Sequence, residues 1–339
     1  GESNAWTNND ITNYYLTIPA ANAETAFWLE SDRMLELAFS PQSLEVQRGV
    51  VLEEFKQRCL NQPYGDAGHL LRPLAYKVHP YRWPTIGKEP AHVANATLAE
   101  VKDFFFHYYA PNNAVLAVTG NIGWKETVRL AEKWFAPIPR REVPVRHLPE
   151  EPEQQEERRQ TVTRDVPLDA LFMAWHMCGR TDADYYAYDI LSDILCNGPS
   201  SRLTRRLVKE RQLFSSIDAY ISGSRDAGLL HVCGKPAQGV TLEQAEEAVR
   251  QELKLLADHP IEAQELEKVK NKFEATQIFS NINYLNVATN LAWHELTGQA
   301  ENIDREVEKY RAVSAGQLRD AARRAFREGN GSTLYYRKK

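Results

Sequence analysis

Two stretches decide the fold: Pro41-Gln-Ser-Leu-Glu-Val-Gln47 and, 219 residues on, Pro260-Ile-Glu-Ala-Gln-Glu-Leu266. Each sets a proline at the first turn of a long helical pattern, where its missing N–H leaves nothing unpaired. The helix ahead of each repeats as well, Asn22 to Phe39 falling on Thr241 to Asp258. Near the end of the chain the offset shortens to 217, and Thr97-Leu-Ala-Glu-Val-Lys-Asp-Phe-Phe falls on Ser314-Ala-Gly-Gln-Leu-Arg-Asp-Ala-Ala. Both open on a hydroxyl residue that can cap a helix. Each copy then runs through Asn-containing turns, Asn112-Asn113 and Asn330-Gly331, into an apolar strand, Ala114 to Thr119 and Ser332 to Tyr336. One supersecondary unit is therefore used twice. Strands mixed with paired amphipathic helices predict an α+β fold of two related domains, each a mostly antiparallel sheet with helices packed on one face.

The boundary between the copies is Leu148 to Gln160, LPEEPEQQEERRQ, which is charged and lacks apolar periodicity. The expected organisation is a domain over 1–147, a linker over 148–160 and a second domain over 161–339. A length of 339 residues and 43% hydrophobic content supply two cores. The second copy opens with a strand, Leu171 to Met177, and a helix, Tyr185 to Cys196, that have no counterpart in the first, because Gly1 corresponds to about residue 220. Trp6 to Pro19 already reads as a strand pair. The expectation is that roughly 50 residues ahead of Gly1 complete the first copy.

A net charge of −5 leaves no electrostatic footprint for nucleic acid and argues against an anionic membrane surface. No apolar run has the length of a membrane span. A peptide substrate is compatible with this charge. The four cysteines, Cys59, Cys178, Cys196 and Cys233, are scattered and read as free thiols. That favours the cytoplasm and leaves the periplasm open.

No complete catalytic motif is present. None of the nine histidines forms HxxEH or HxxxH, so no helix offers two imidazoles to one metal. His294-Glu295 has no partner histidine, and His69 and His79 lie ten apart; all read as ordinary histidines. The segment that stands out is Leu44 to Arg58, LEVQRGVVLEEFKQR. Val46, Val50, Val51 and Phe55 form the expected buried stripe of a helix. Glu54 belongs on or beside that stripe, Gln47 lies seven positions earlier on the same face, and Glu53 lies about 100° round the helix. Geometry alone leaves Glu54 as a partly exposed carboxylate or as one aimed at a core, which would need a cation or a metal.

Several further stretches fall in order along the chain: Gly1-Glu-Ser-Asn-Ala-Trp-Thr with Asp10-Ile-Thr-Asn-Tyr-Tyr, Ser31-Asp-Arg-Met, Arg48-Gly-Val-Val-Leu-Glu-Glu, Tyr108-Tyr-Ala-Pro-Asn-Asn-Ala and, in the second copy, Gly198-Pro-Ser-Ser-Arg-Leu. In these the chain resembles the M16 (pitrilysin/insulinase) metallopeptidases. The first pair looks like that family's G-x-x-N-A-x-T…T-x-Y-Y strands, the next two match its following helices, the Tyr108 stretch matches the segment beyond, and the last matches G-x-S-S-R-L of its non-metal domain. The resemblance implies the LuxS/MPP-like metallohydrolase fold and a Zn2+-dependent endopeptidase subunit, an inverted zincin, cleaving peptides or unfolded segments in a closed chamber. It implies zinc held by two histidines of an H-x-x-E-H helix and by a glutamate roughly 75 residues later, here Glu54. The histidines would then precede Gly1, and residues 1–339 alone would be inactive. Gln47 stands where relatives often carry a second, supporting glutamate; an amide can hydrogen-bond but cannot act as an anionic base. Asn4, Ala5, Trp6 and Thr7 match the cleft edge on which an extended substrate adds as a strand. Val208 and Ser215 stand where an Arg/Tyr pair would hold substrate, so the resemblance implies a second M16 half, in a hetero- or homodimer, as the source of that pair. It also leaves a rival open, a non-catalytic scaffold subunit of the same fold.

Overall fold

A computed structural model describes residues 1–339. A hairpin of β1 (Glu2–Thr7) and β2 (Thr12–Thr17) leads into α1 (Ala23–Leu35), α2 (Pro41–Phe55), α3 (Ala67–Ala75), α4 (Pro90–Ala94), α5 (Leu98–Tyr108) and α6 (Trp124–Phe135). After a strandless stretch come β3 (Arg158–Arg164), β4 (Ala170–His176), α7 (Tyr185–Cys196), β5 (Phe214–Ile221) and β6 (Leu229–Pro236). The chain closes with α8 (Leu242–Asp258), α9 (Ala263–Ser280), α10 (Tyr284–Thr297), α11 (Glu306–Ala312), α12 (Ala315–Ala325) and β7 (Gly331–Lys338). The repeat is visible in these bounds: α5 and α12 coincide end to end at the shorter offset, and α1 and α8 start together at the longer one. Thr97 and Ser314 cap their helices through the N–H groups of Glu100 and Gln317, with the reciprocal side-chain bond in place.

The residues gather into two compact units. The first holds Gly1–Lys56, Thr85–His147 and Gln277–Arg305; the second holds Gln57–Pro84, Leu148–Thr276 and Glu306–Lys339. The chain passes from the first unit to the second between His147 and Leu148, and two further segments exchange units. Gln57–Pro84, with α3, joins the second unit, and Gln277–Arg305, with α10, joins the first.

The second unit is built on a five-stranded sheet of order β3-β7-β4-β6-β5, antiparallel except for β3 beside β7. Its central strand β4, ALFMAWH, is buried on both faces. Leu171, Met173 and Trp175 point into a core shared with α7, α8 and α12, whereas Ala170 and Ala174 point the other way, against Ala67, Leu71 and Ala75 of α3. Alternation along a strand makes this division. The small side chains on the second face let α3 approach closely. The helical layer expected on one face is therefore joined by one helix on the other.

In the first unit the β1–β2 hairpin is the sheet. Ala114–Thr119, expected as a strand, pairs with nothing. Its counterpart β7 lies between β3 and β4 with both edges bonded. An apolar run becomes a strand only where neighbours satisfy its backbone, and 114–119 has none within this unit. Apolar surface is left uncovered here as well, including Trp28, Phe104, Phe106 and Trp124.

Two stability outcomes follow from the second unit. Leu191→Ala removes a fully buried α7 side chain and is expected to cost about 2–5 kcal/mol; a urea melt showing less than about 1 kcal/mol would contradict the core assignment. His231 of β6 is buried beside the stacked Tyr220 ring, and burial, then the Arg72 charge, depress its pKa from 6.5 to about 3. The unfolded chain thus binds this proton first, so stability falls as pH drops from about 6.5 toward 3, by up to ~1.4 kcal/mol per pH unit. His231→Phe should flatten that slope in urea melts at successive pH values; an unchanged slope would contradict the assignment.

Candidate functional site

The hairpin at the N-terminus carries the sequence-predicted binding residues. Asn4, Ala5, Trp6 and Thr7 lie on β1, whose register sets Asn4 opposite Tyr15, Ala5 opposite Tyr14 and Trp6 opposite Asn13. Opposed residues in an antiparallel pair share a face. One face therefore carries Asn4, Trp6, Asn13 and Tyr15, and the other carries Ala5, Thr7, Tyr14 and Leu16.

The second face is fixed to the helices of its unit. The Tyr14 hydroxyl is 2.7 Å from that of Tyr109, just past the C-terminus of α5. The Arg33 guanidinium of α1 sits 4.6 Å above the Tyr14 ring, a cation–π contact. Burial, and then the hydrogen bond to Tyr14, push the Tyr109 phenol well above its ordinary pKa, so it stays protonated. Arg141 then ties two helix ends together, donating to the carbonyls of Tyr109, Met34 and Leu35. Last-turn carbonyls have no partner within their own helix, which is why a guanidinium settles there.

The first face opens onto a cavity of about 440 Å3 lined by Trp6 and Tyr15 together with Gln277, Asn286, Thr289 and Asn290. Asn286, Thr289 and Asn290 share one face of α10, at helical spacing. Asn283 caps that helix by accepting from the Leu285 N–H. Trp6 is 39% exposed at the mouth. The outer edge of β1 has no strand beside it. The Asn4–Thr7 motif includes Trp6, and no motif marks the α10 residues. The sequence does carry a signal for them, since Asn283, Asn286 and Asn290 fall three and four residues apart, at helical spacing.

Glu54 lies in the last turn of α2. That helix is started by Ser40, whose hydroxyl accepts from the Ser43 N–H, followed by Pro41 at the first position. Glu54 is half-buried beside the buried Phe55, while Gln47, two turns earlier, is exposed. The stripe expected to be buried is largely at the surface, Val46 being 63% and Val50 53% exposed. Periodicity shows which face of a helix can be buried, but burial needs an element to cover it. Of the stripe Phe55 is buried and Val51 half-buried.

Within residues 1–339 no three His, Cys, Asp or Glu side chains converge as a metal site. A catalytic zinc takes three protein ligands, so Glu54 by itself does not fit the ion. His79 is instead held structurally, its Nδ1 accepting from the Tyr81 N–H and its Nε2 3.2 Å from Asp226. In the second unit Val208 packs against the core in a helical turn, and the Ser215 hydroxyl donates to the Lys235 carbonyl at a β-bulge. Neither position offers a guanidinium or phenol to a ligand. No helix is long and apolar enough to cross a membrane.

The family described as "Peptidase M16 inactive domain" matches residues 95–273. The chain is similar to the zinc protease PqqE of Helicobacter pylori, with 26% identity over 99% of this chain and 76% of that protein. The crystal structure of a protease from the same organism superposes with a TM-score of 0.92 at 25% identity, over 99% of this chain and 82% of the other. The periplasmic protease PqqL of Escherichia coli superposes with a TM-score of 0.78 at 18% identity, this chain covering 39% of it.

The Ser40 cap holds the helix that carries Glu54. Ser40→Ala is expected to cost about 1 kcal/mol, read as a lower thermal midpoint of the full-length protein. A shift no larger than that of an exposed control such as Val46→Ala would show that the cap does not anchor α2.

Proposed function

This chain belongs to the M16 peptidase family, and from that premise we propose that it forms one half of a zinc-dependent endopeptidase that takes peptides or unfolded segments in extended form. The open edge of β1 carries the proposal. A peptide laid along it gains main-chain hydrogen bonds whatever its sequence, which suits a substrate defined by being unfolded. The similarity to a zinc protease over nearly the whole chain supports the reaction class. The share of PqqL that is covered, 39%, and the 75% of its separately solved first half support a half-sized unit that pairs with another. Val208 and Ser215 leave the Arg/Tyr pair to that second half.

Glu54 is proposed as one zinc ligand, with the histidines supplied from outside residues 1–339. No bond-breaking step is assigned to the residues described above, because one carboxylate cannot hold the ion. Their part is to bind and align the substrate strand. A scaffold function is the second reading, favoured by one observation: the family match over 95–273 is to the domain described as inactive.

Zinc content and peptide hydrolysis of the full-length protein, compared with Glu54→Gln, separate these readings. The substitution should weaken zinc binding by about tenfold or more, since even residues behind metal ligands cost that much, with activity lost in parallel. Unchanged zinc binding would remove Glu54 from the site. A folded wild-type protein that binds no zinc would favour the scaffold.

A further inference from the structure

The cavity beside Trp6 has an orientation that the β1 edge defines. A strand paired to that edge continues the pleat, so every second side chain projects to the face that carries Asn4, Trp6 and Tyr15. That is the face onto which the cavity opens. The intervening side chains project to the face held by Tyr14 and Tyr109, which the helices of the unit already occupy.

The lining is specific in character. The side chains of Gln277, Asn286 and Asn290 bring both donors and acceptors, Ser280 and Thr289 bring hydroxyls, Leu285 adds an apolar contact, and no charged side chain contributes. The Asn286 amide is oriented by donating through Nδ2 to the Ser280 carbonyl, 3.1 Å away. Trp6 and Tyr15 add two ring faces. At about 440 Å3 the space falls within the range of ordinary ligand pockets and admits a large side chain. A charged side chain entering it would meet no counter-charge among these residues, whereas an amide or phenol could be hydrogen-bonded and stacked.

We propose that this cavity, between the β1–β2 hairpin and the Gln277–Asn290 segment, is a specificity subsite that selects a large uncharged polar side chain, glutamine or tyrosine, at alternate positions of the bound peptide. The proposal rests on the reading of β1 as the substrate edge. It adds side-chain selection to an interaction otherwise made through the backbone.

The test uses the full-length protein stripped of zinc, so that binding is read without cleavage, and fluorescein-labelled nonapeptides on an alanine-rich background. One central position carries Ala, Gln, Tyr, Lys or Glu, and a second series varies the adjacent position. Anisotropy titrations should rank Gln and Tyr about tenfold tighter than Lys and Glu in one series only, the scale of one added hydrogen bond. Asn290→Asp should raise the affinity of the Lys peptide and lower that of the Glu peptide. Asn286→Asp should do the same, which covers the case in which one variant does not fold; thermal melting identifies that case. Peptides that bind wild type with no preference of this parity, or a ranking unchanged in the folded Asp variants, would overturn the subsite and leave the edge standing. If no peptide binds wild type, the edge falls and the subsite with it.

Discussion

A β-strand with one neighbour leaves its outward N–H and C=O groups, about half of its backbone polar groups, without a protein partner. β1 is such a strand: it is paired to β2 on one side only, and its residues are exposed from Glu2 to Thr7. Proteins usually cover or blunt an edge of this kind. Here the hairpin is anchored on one face, by the Tyr14–Tyr109 contact and the Arg33 guanidinium, while the edge itself is exposed. Fixing the strand in advance lowers the ordering cost that an incoming peptide would face.

The two units differ in how they are stabilised, and the difference follows from their sheets. In the second, β4 lies at the centre of five strands, and its alternation feeds two cores, one under α7, α8 and α12 and one under α3. Buried Glu246 is tied to Arg159, Arg250 and Tyr335, so its charge is matched at the margin of that core. The first unit has a two-stranded sheet and few buried side chains, Phe27, Phe55, Phe105 and Leu130 among them. Two strands bury little by themselves, and apolar residues such as Trp28 and Phe106 remain in contact with solvent. The second unit therefore supplies most of the packing energy, and the first presents the edge and Glu54.

Much of this was legible in the sequence, and the misses have physical causes. Thr97 and Ser314 announce helices because a hydroxyl before an apolar run satisfies orphan N–H groups locally. Helix Tyr185–Cys196 is bounded as expected, since its apolar residues run nearly all round and need no particular partner to be recognised. Ala114–Thr119 carries a strand's composition but no ladder, and Val46 and Val50 carry a buried helix's spacing without burial. Both depend on what lies opposite, which local pattern does not encode. The exchange of Gln57–Pro84 and Gln277–Arg305 between units is invisible for the same reason. At the site, Asn4–Thr7 and Glu54 could be singled out because motifs mark them, whereas the Asn286 and Asn290 wall of the cavity depends on α10 joining β1 and β2 in one unit.

In the function we propose, the β1 edge has a single duty, to accept an extended peptide through its main chain. Hydrogen exchange of the full-length, zinc-stripped protein measures that directly, with and without an unfolded peptide at saturating concentration. The outward amides of Glu2–Thr7 should exchange markedly more slowly when the peptide is present, because each gains a partner, with little change in β4 at the centre of the second sheet. Bound peptide with no added protection across Glu2–Thr7, or protection confined to other elements, would contradict it.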